Sequence, residues 1–575
     1  MGPTNPIGER TLLTGGTVLV LDGATPAQEA MVIENGRVAA TGARDEMKRV
    51  AGAKAENVDL RGATAMPGLI DSHPHLLHLA MLEQGVVDLF DAIDHEDIIR
   101  RIQRFAENTP PGQWILTTPI GEPHYFIRRS YLDLEERRMP DRAALDRATT
   151  RHPVLVQAWP PKTPNVCAFN SLGLAQAGIG RITPDRVCNV MIEKDESGRP
   201  TGIVRGSVNN YYNDDPFWLQ IQMRLPRIGN DALEAAVLSG MKLFNRLGVT
   251  SIYEAHAMNA ADIDAFRTVR ERGEATVRVL AALEFSNGVF SPLAEPSEEE
   301  LLARLELAKS MRTVSDDLLR IEGLSLGLGG PCWQGYARVY EPYKDPYGNP
   351  TRGKTFLSLK ATAMAMEFCL RHRLRLNLLT GGYRDHDDYL ALLDSFAGQY
   401  DLESLDWVVQ HCILTSQAQA RRYAELGLQI TASTSFLWGM GDIYVERMGT
   451  AVFRDFNPLK RFFDLGLNVS CGSDWGPKNI FEHMQFAETR EFGGTSRRDL
   501  SADQAITREQ SLLSWTRNCA RLMRWNDIGS LSPGFQADIT IVDRNPLTCP
   551  VDDLPGTTVL RTLLGGRIVH DSEQL

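Results

Sequence analysis

The sequence predicts an α/β protein: a (β/α)8 TIM barrel, a composite β-sandwich domain made from both termini, and a large insertion after the first barrel strand. Three observations carry this reading. Both ends of the 575-residue chain hold short β-type runs, such as TLLTGGTVLVLD and VLRTLLGGRIVH, joined by turn pairs that include Asn35-Gly36 and Gly565-Gly566. The middle alternates helix-patterned segments that stop near glycine with apolar β-type runs: DALEAAVLSGMKLFNRLG precedes VTSIYEAHA, and AQARRYAELG precedes LQITASTS. Eight such runs can be counted, and eight parallel strands close a barrel.

In chain order, residues 1–66 are expected to combine with 525–575 in the sandwich, and residues 67–524 to form the barrel. The eight strands are expected near 66–71, 250–256, 276–283, 320–328, 373–380, 406–412, 427–432 and 467–474. The stretch from about 77 to 245 falls between the first two and must be an insertion. It contains a helix (HEDIIRRIQRFAEN), a proline-rich loop (AWPPKTPN) and a turn-linked strand pair (VMIEKDESGRPTGIVRG).

Composition narrows the function classes. A hydrophobic content of 43% suffices for an extensive core, while Asp and Glu outnumber Lys and Arg by 73 to 61 with no basic stripe to track a phosphate backbone. Nucleic acid is therefore not an expected partner, and a small-molecule substrate is. No apolar run is long enough to span a bilayer, and the N-terminus lacks a signal-peptide pattern, so no membrane partner and a cytoplasmic location are expected. The eight cysteines lack CxxC spacing and read as reduced thiols. Nothing in the chain excludes a homo-oligomer.

In a (β/α)8 barrel the reactive groups sit at the C-terminal ends of the strands. The first run is followed by DSHPHLLHL, which holds three of the chain's twelve histidines. In extended backbone His73 and His75 point to the same side and can converge on one cation. His411 closes DWVVQHC, and Asp474 closes LNVSCGSD, on the same expected rim. These four residues form the candidate metal set, while His78 reads as a helix residue or a support.

The motifs resemble those of the amidohydrolase superfamily, in the amidohydrolase-3 branch that includes N-substituted formamide deformylases. AMPGLIDSHPHL is similar to the Pro-Gly-x-Ile-Asp-x-His-x-His signature, VVQHC to the strand-six histidine, CGSDWGP to the strand-eight Gly-Ser-Asp, and GSLSPGFQADITIVDRNPL to the return into the β-domain. The resemblance covers nearly the whole chain. It implies a metal-bearing barrel and hydrolysis of an amide-like or ester-like bond.

Departures from the family pattern matter as much. Ser325 stands near the usual strand-four lysine and Gly329 near its aspartate, Thr380-Gly381-Gly382 replaces the strand-five histidine motif, and Asn165 and Gly206 stand where relatives carry histidine and glutamate. Loss of the bridging lysine points to one divalent metal ion rather than a pair, with zinc the first choice and manganese or iron as alternatives. A remaining ligand is then to come from His411, Glu254, His256 or His386.

A bound metal lowers the pKa of water towards about 7 and polarises a carbonyl. Asp474 is the expected base, and His411 either stabilises the oxyanion or completes the metal shell. The expected activity is that of a metal-dependent hydrolase cleaving a non-peptide, amide-like C–N bond. The alternatives are a decarboxylase, C–C lyase or isomerase using the same centre, or a binding protein without turnover. Candidate substrate contacts are Glu254, His256, His124, Lys162, His386 and Trp475, and Trp333, Trp438 and Tyr253 near other strand ends hint at an apolar ligand.

Overall fold

The computed structural model describes residues 10–121, 129–158, 165–208, 213, 215–226, 230–286, 295–312, 315–396, 398–492, 497–498 and 500–575. Eight strands form one sheet whose order follows the chain: β1 (Leu69–Asp71), β2 (Val249–Glu254), β3 (Arg278–Glu284), β4 (Leu319–Gly327), β5 (Leu376–Leu379), β6 (Val408–His411), β7 (Gln429–Ala432) and β8 (Val469–Cys471). Every neighbouring pair is parallel. The edges meet where the Ser72 N–H and hydroxyl donate to the Cys471 carbonyl at 3.2 and 2.8 Å.

Each of the eight apolar runs read from the sequence overlaps one of these strands. The reason is burial on both faces: all residues of β2 and β3 are buried, so neither strand shows a polar face by alternation, and β3 reads as an apolar run at its centre. The outer helices begin where side chains cap their free N–H groups. Asn259, Ser297 and Ser416 each form a reciprocal capping box, starting the helices Ala260–Glu271, Glu298–Met311 and Gln417–Glu425.

The ends of the chain build two sheets. Arg37–Gly42, Ala30–Glu34, Arg10–Thr14 and Glu56–Asp59 form one; Thr17–Val18, Thr64–Pro67, Ile539–Val542, Val559–Leu564 and Arg567–Asp571 form the other. Leu13, Met31 and Ile33 pack with Ile539, Ile541 and Leu563 in a shared core, so neither terminus completes the sandwich alone. The sandwich meets the barrel floor through a buried ion pair, in which the Arg278 guanidinium donates to both Asp538 carboxylate oxygens at 2.7 and 2.9 Å.

The insertion is more ordered than its sequence suggests. It carries a six-stranded sheet in the order Arg186–Val187, Val190–Lys194, Pro200–Gly206, Asn165–Phe169, Val154–Ala158 and Ile115–Ile120, which includes the expected turn-linked pair. Among the described residues no helix is long and apolar enough to cross a membrane.

Candidate metal centre at the barrel rim

Strand β1 ends at Asp71 and β8 at Cys471, so His73, His75 and Asp474 sit on the turns beyond them, while His411 closes β6. Strand alternation therefore does not explain how the first two imidazoles come together. His75 holds φ 49°, His411 φ 69° and Asp474 φ 51°, left-handed backbone that costs a non-glycine residue about 1–3 kcal/mol. Such turns persist only where the surroundings over-determine them.

Here the surroundings are two charged side chains that bridge both turns. One oxygen of buried Asp71 accepts the N–H groups of His73 and Ser473, each at 3.0 Å. The Lys478 ammonium donates to the Pro74 carbonyl at 2.7 Å, the Ser473 hydroxyl oxygen at 3.0 Å and the Asp474 carbonyl. The Asp474 N–H adds a bond to the His73 carbonyl at 2.7 Å. Neither Asp71 nor Lys478 was singled out from the sequence, although both flank the motifs. Replacing Lys478 with methionine strands these acceptors, and a stability loss of about 2 kcal/mol or more is expected in chemical denaturation of the metal-free protein.

Donor atoms converge between the turns. His73 Nε2 lies 3.2 Å from His75 Nε2, and Asp474 Oδ1 lies 3.3 Å from His75 Nε2 and 3.9 Å from His73 Nε2. His411 Nδ1 is 3.6 Å from Asp474 Oδ2, and His73, His411 and Asp474 each offer a donor atom within 4.8 Å of the others. Two donors on one tetrahedral cation with bonds near 2.0–2.1 Å stand roughly 3.3 Å apart, so the spacing suits a single ion. Burial holds His73 and His75 well below the usual histidine range, and brings His411 down to about 4. All three are thus neutral and carry the lone pair a metal requires. The buried Nδ1 of His73 has no hydrogen-bond partner among the described residues. The donor set fits a divalent cation.

Beside this set opens a small cleft whose lining includes His411, Asp474, Thr380 and Gly381 together with Trp333, Phe436, Leu379 and Ile413. Trp333 and Phe436 form a tilted pair, ring centres 5.6 Å apart. Thr380, just beyond the end of β5, donates its hydroxyl to the Gln410 carbonyl at 2.8 Å and accepts the Cys412 N–H at 3.2 Å. Ser325 is fully buried on β4.

The remaining candidates separate. Glu254 is buried beneath the rim, its carboxyl pushed up to about 7 by that burial, and accepts the Leu77 N–H at 3.4 Å. His78 lies between His75, at 3.4 Å, and Asp262, at 3.8 Å. Trp475 stacks on His75 with ring centres 5.2 Å apart rather than lining the cleft. Trp438 stacks on Phe486, and the Tyr253 hydroxyl accepts from Asn377 at 2.6 Å inside the barrel. Asp385 and Asp388 are taken up by Arg338, at 3.0 and 2.6 Å. His124 and Lys162 lie outside the described residues.

His386 is fully buried away from the cleft, between the Tyr423 hydroxyl at 2.9 Å and the Thr415 hydroxyl at 3.2 Å. Burial brings its pKa down to about 3, so between about pH 6.5 and 3 only the unfolded chain binds this proton. Stability from this residue is therefore present above the unfolded pKa and lost as pH falls, by up to roughly 1.4 kcal/mol per pH unit. Unfolding free energies of wild type and His386→Gln from urea titrations are expected to converge by roughly 1–2 kcal/mol between pH 6.5 and 5.

The profile described as the amidohydrolase family matches residues 56–570. The chain is 24% identical over 570 residues to N-substituted formamide deformylase of Arthrobacter pascens, covering 97% of this chain and 98% of that protein. It is 30% identical over 565 residues to YtcJ of Bacillus subtilis (strain 168), covering 94% and 96%. In fold it resembles an uncharacterized metal-dependent hydrolase from Pyrococcus horikoshii OT3, with a TM-score of 0.70 at 21% identity over 94% of this chain and 99% of that one.

Proposed function

The chain belongs to the amidohydrolase family of hydrolytic enzymes, and from that premise we propose that it is a metal-dependent hydrolase cleaving an amide-like C–N bond of a small organic substrate. The observation that carries the reading is the convergence of His73, His75, His411 and Asp474 beside a cleft with an aromatic wall. These four residues would hold one divalent ion, with zinc the first choice among zinc, manganese and iron. When bound, the ion makes hydroxide available near neutral pH and polarises the substrate carbonyl.

The chain's own groups do the rest. The Asp474 carboxylate takes the proton of the attacking water and returns it to the departing amine. His411, 3.6 Å from Asp474 and lining the same cleft, either completes the metal shell or donates to the oxygen on which charge develops. Trp333 and Phe436 offer an apolar seat for the acyl or amine substituent and exclude water from it. The name of the Arthrobacter relative, a deformylase of N-substituted formamides, supports a small amide as the substrate class.

One ion per chain follows from Ser325 and Thr380, which supply neither a bridging carboxylate nor a second imidazole. Two measurements test the proposal. Elemental analysis should return about one metal per chain, and mass spectrometry after incubation with pooled amides, esters, lactones and carboxylated aromatics should find products heavier by water. Loss of carbon dioxide instead would favour the decarboxylase reading.

A further inference from the structure

Building on that proposed metal centre, we propose that His256 is an additional protein ligand of the ion, held in place by Glu284, so that β2 and β3 replace the donors that β4 and β5 lack. His256 lies two residues beyond the end of β2 and is 6% exposed. Glu284 is the last residue of β3. One of its carboxylate oxygens accepts from His256 Nδ1 at 3.2 Å and from the Ala257 N–H at 3.1 Å. Its other oxygen accepts the Ser286 hydroxyl. The Glu284 N–H in turn donates to the Met258 carbonyl at 2.8 Å, so the loop after β2 is tied to β3 at both side chain and backbone.

This tie fits the orientation a ligand needs. With its Nδ1–H directed at the Glu284 carboxylate, His256 would turn its Nε2 lone pair to the ion. A histidine whose far nitrogen is bound by a carboxylate is the usual form of an oriented metal ligand. Ring positions agree. His256 has its ring centre 5.6 Å from that of His73, 5.5 Å from His75 and 6.2 Å from His411, while His73 is 4.9 Å from His75 and 4.7 Å from His411. Imidazoles that share one cation through bonds near 2.0–2.1 Å have ring centres roughly 4.5–6 Å apart, a range that His256 meets towards His73 and His75 and slightly exceeds towards His411.

With Thr380 spent on backbone partners, β5 ends without an imidazole, and His256 brings one from β2, the strand next to β1. With His256 the protein donors number five, so the ion would be five- or six-coordinate rather than tetrahedral, and a nitrogen-rich set of this kind selects zinc, cobalt, nickel or iron over magnesium and calcium.

The test uses cobalt(II) as the probe in the full-length protein, with visible absorption reporting the donors and chelator competition reporting affinity. For His256→Ala we expect a changed absorption spectrum and at least tenfold weaker binding, and for Glu284→Gln about 10–100-fold weaker binding. If thermal unfolding of the metal-free His256→Ala protein differs from wild type, His256→Gln, which keeps a donor towards Glu284, is read in its place. Wild-type affinity and spectrum in the His256 variant overturn the assignment. His73→Ala run alongside separates the two levels of failure: if it too retains cobalt, the whole metal centre is misplaced, whereas if it alone loses cobalt, only the role of His256 is wrong.

Discussion

Alanine at His73 or His75 is expected to remove bound metal and turnover together. Each imidazole supplies a donor atom about a bond-pair distance from its neighbours, 3.2 Å between the two Nε2 atoms and 3.3 Å from His75 to Asp474. Loss of a mere supporting partner already weakens metal affinity 10–100-fold, so loss of a donor should leave less than about a tenth of the wild-type metal after dialysis, with kcat down at least a hundredfold. The fold should survive, because Asp71 binds the backbone N–H of residue 73 rather than its ring, and Lys478 binds the carbonyl of Pro74. Circular dichroism, metal content and kcat measured on one preparation check this. A folded variant with wild-type metal and kcat would remove the motif from the chemistry.

Asparagine at Asp474 gives the second large effect, and its signature differs. The amide keeps the shape and one neutral oxygen donor but cannot take up a proton at neutral pH, so kcat should fall by about a hundredfold or more while KM changes little. Because Asp474 is also a candidate ligand, kcat is to be compared at equal metal occupancy. A loss confined to KM would take Asp474 out of the proton-transfer step.

Much of this arrangement was legible before any coordinates. The β3 run RVLAALE announces a buried parallel strand through its apolar centre, VTSIYE is marked by its β-type residues after a helix pattern, and glycines such as Gly248 and Gly427 mark where the preceding helices stop. The insertion's sheet was less legible, since ILTTPI and VLVQA carry no turn pair between them and are joined by a long segment containing helix and loop. Apart from the turn-linked pair Val190–Lys194 and Pro200–Gly206, its strands could be paired only in three dimensions. His386 and Trp475 carried the right chemistry in the right neighbourhood, but their side chains are spent on Tyr423 and Thr415 in one case and on stacking with His75 in the other.

By itself the sequence determined the barrel, its eight strands, the sandwich shared by both ends and the resemblance to the amidohydrolases, because burial on both faces of a parallel strand and the stop signals of helices are local and periodic. Tertiary structure alone decided how the site is assembled. Asp71 reaches Ser473 across 402 residues and Lys478 reaches Pro74 across 404, and these bonds hold His75 and Asp474 in left-handed turns that no periodicity announces. The pairing of His256 with Glu284 is likewise a contact between neighbouring strands of a closed sheet. A hydrogen bond leaves a trace in sequence when its partners are a fixed few residues apart; when barrel closure brings them together, only the folded chain records it.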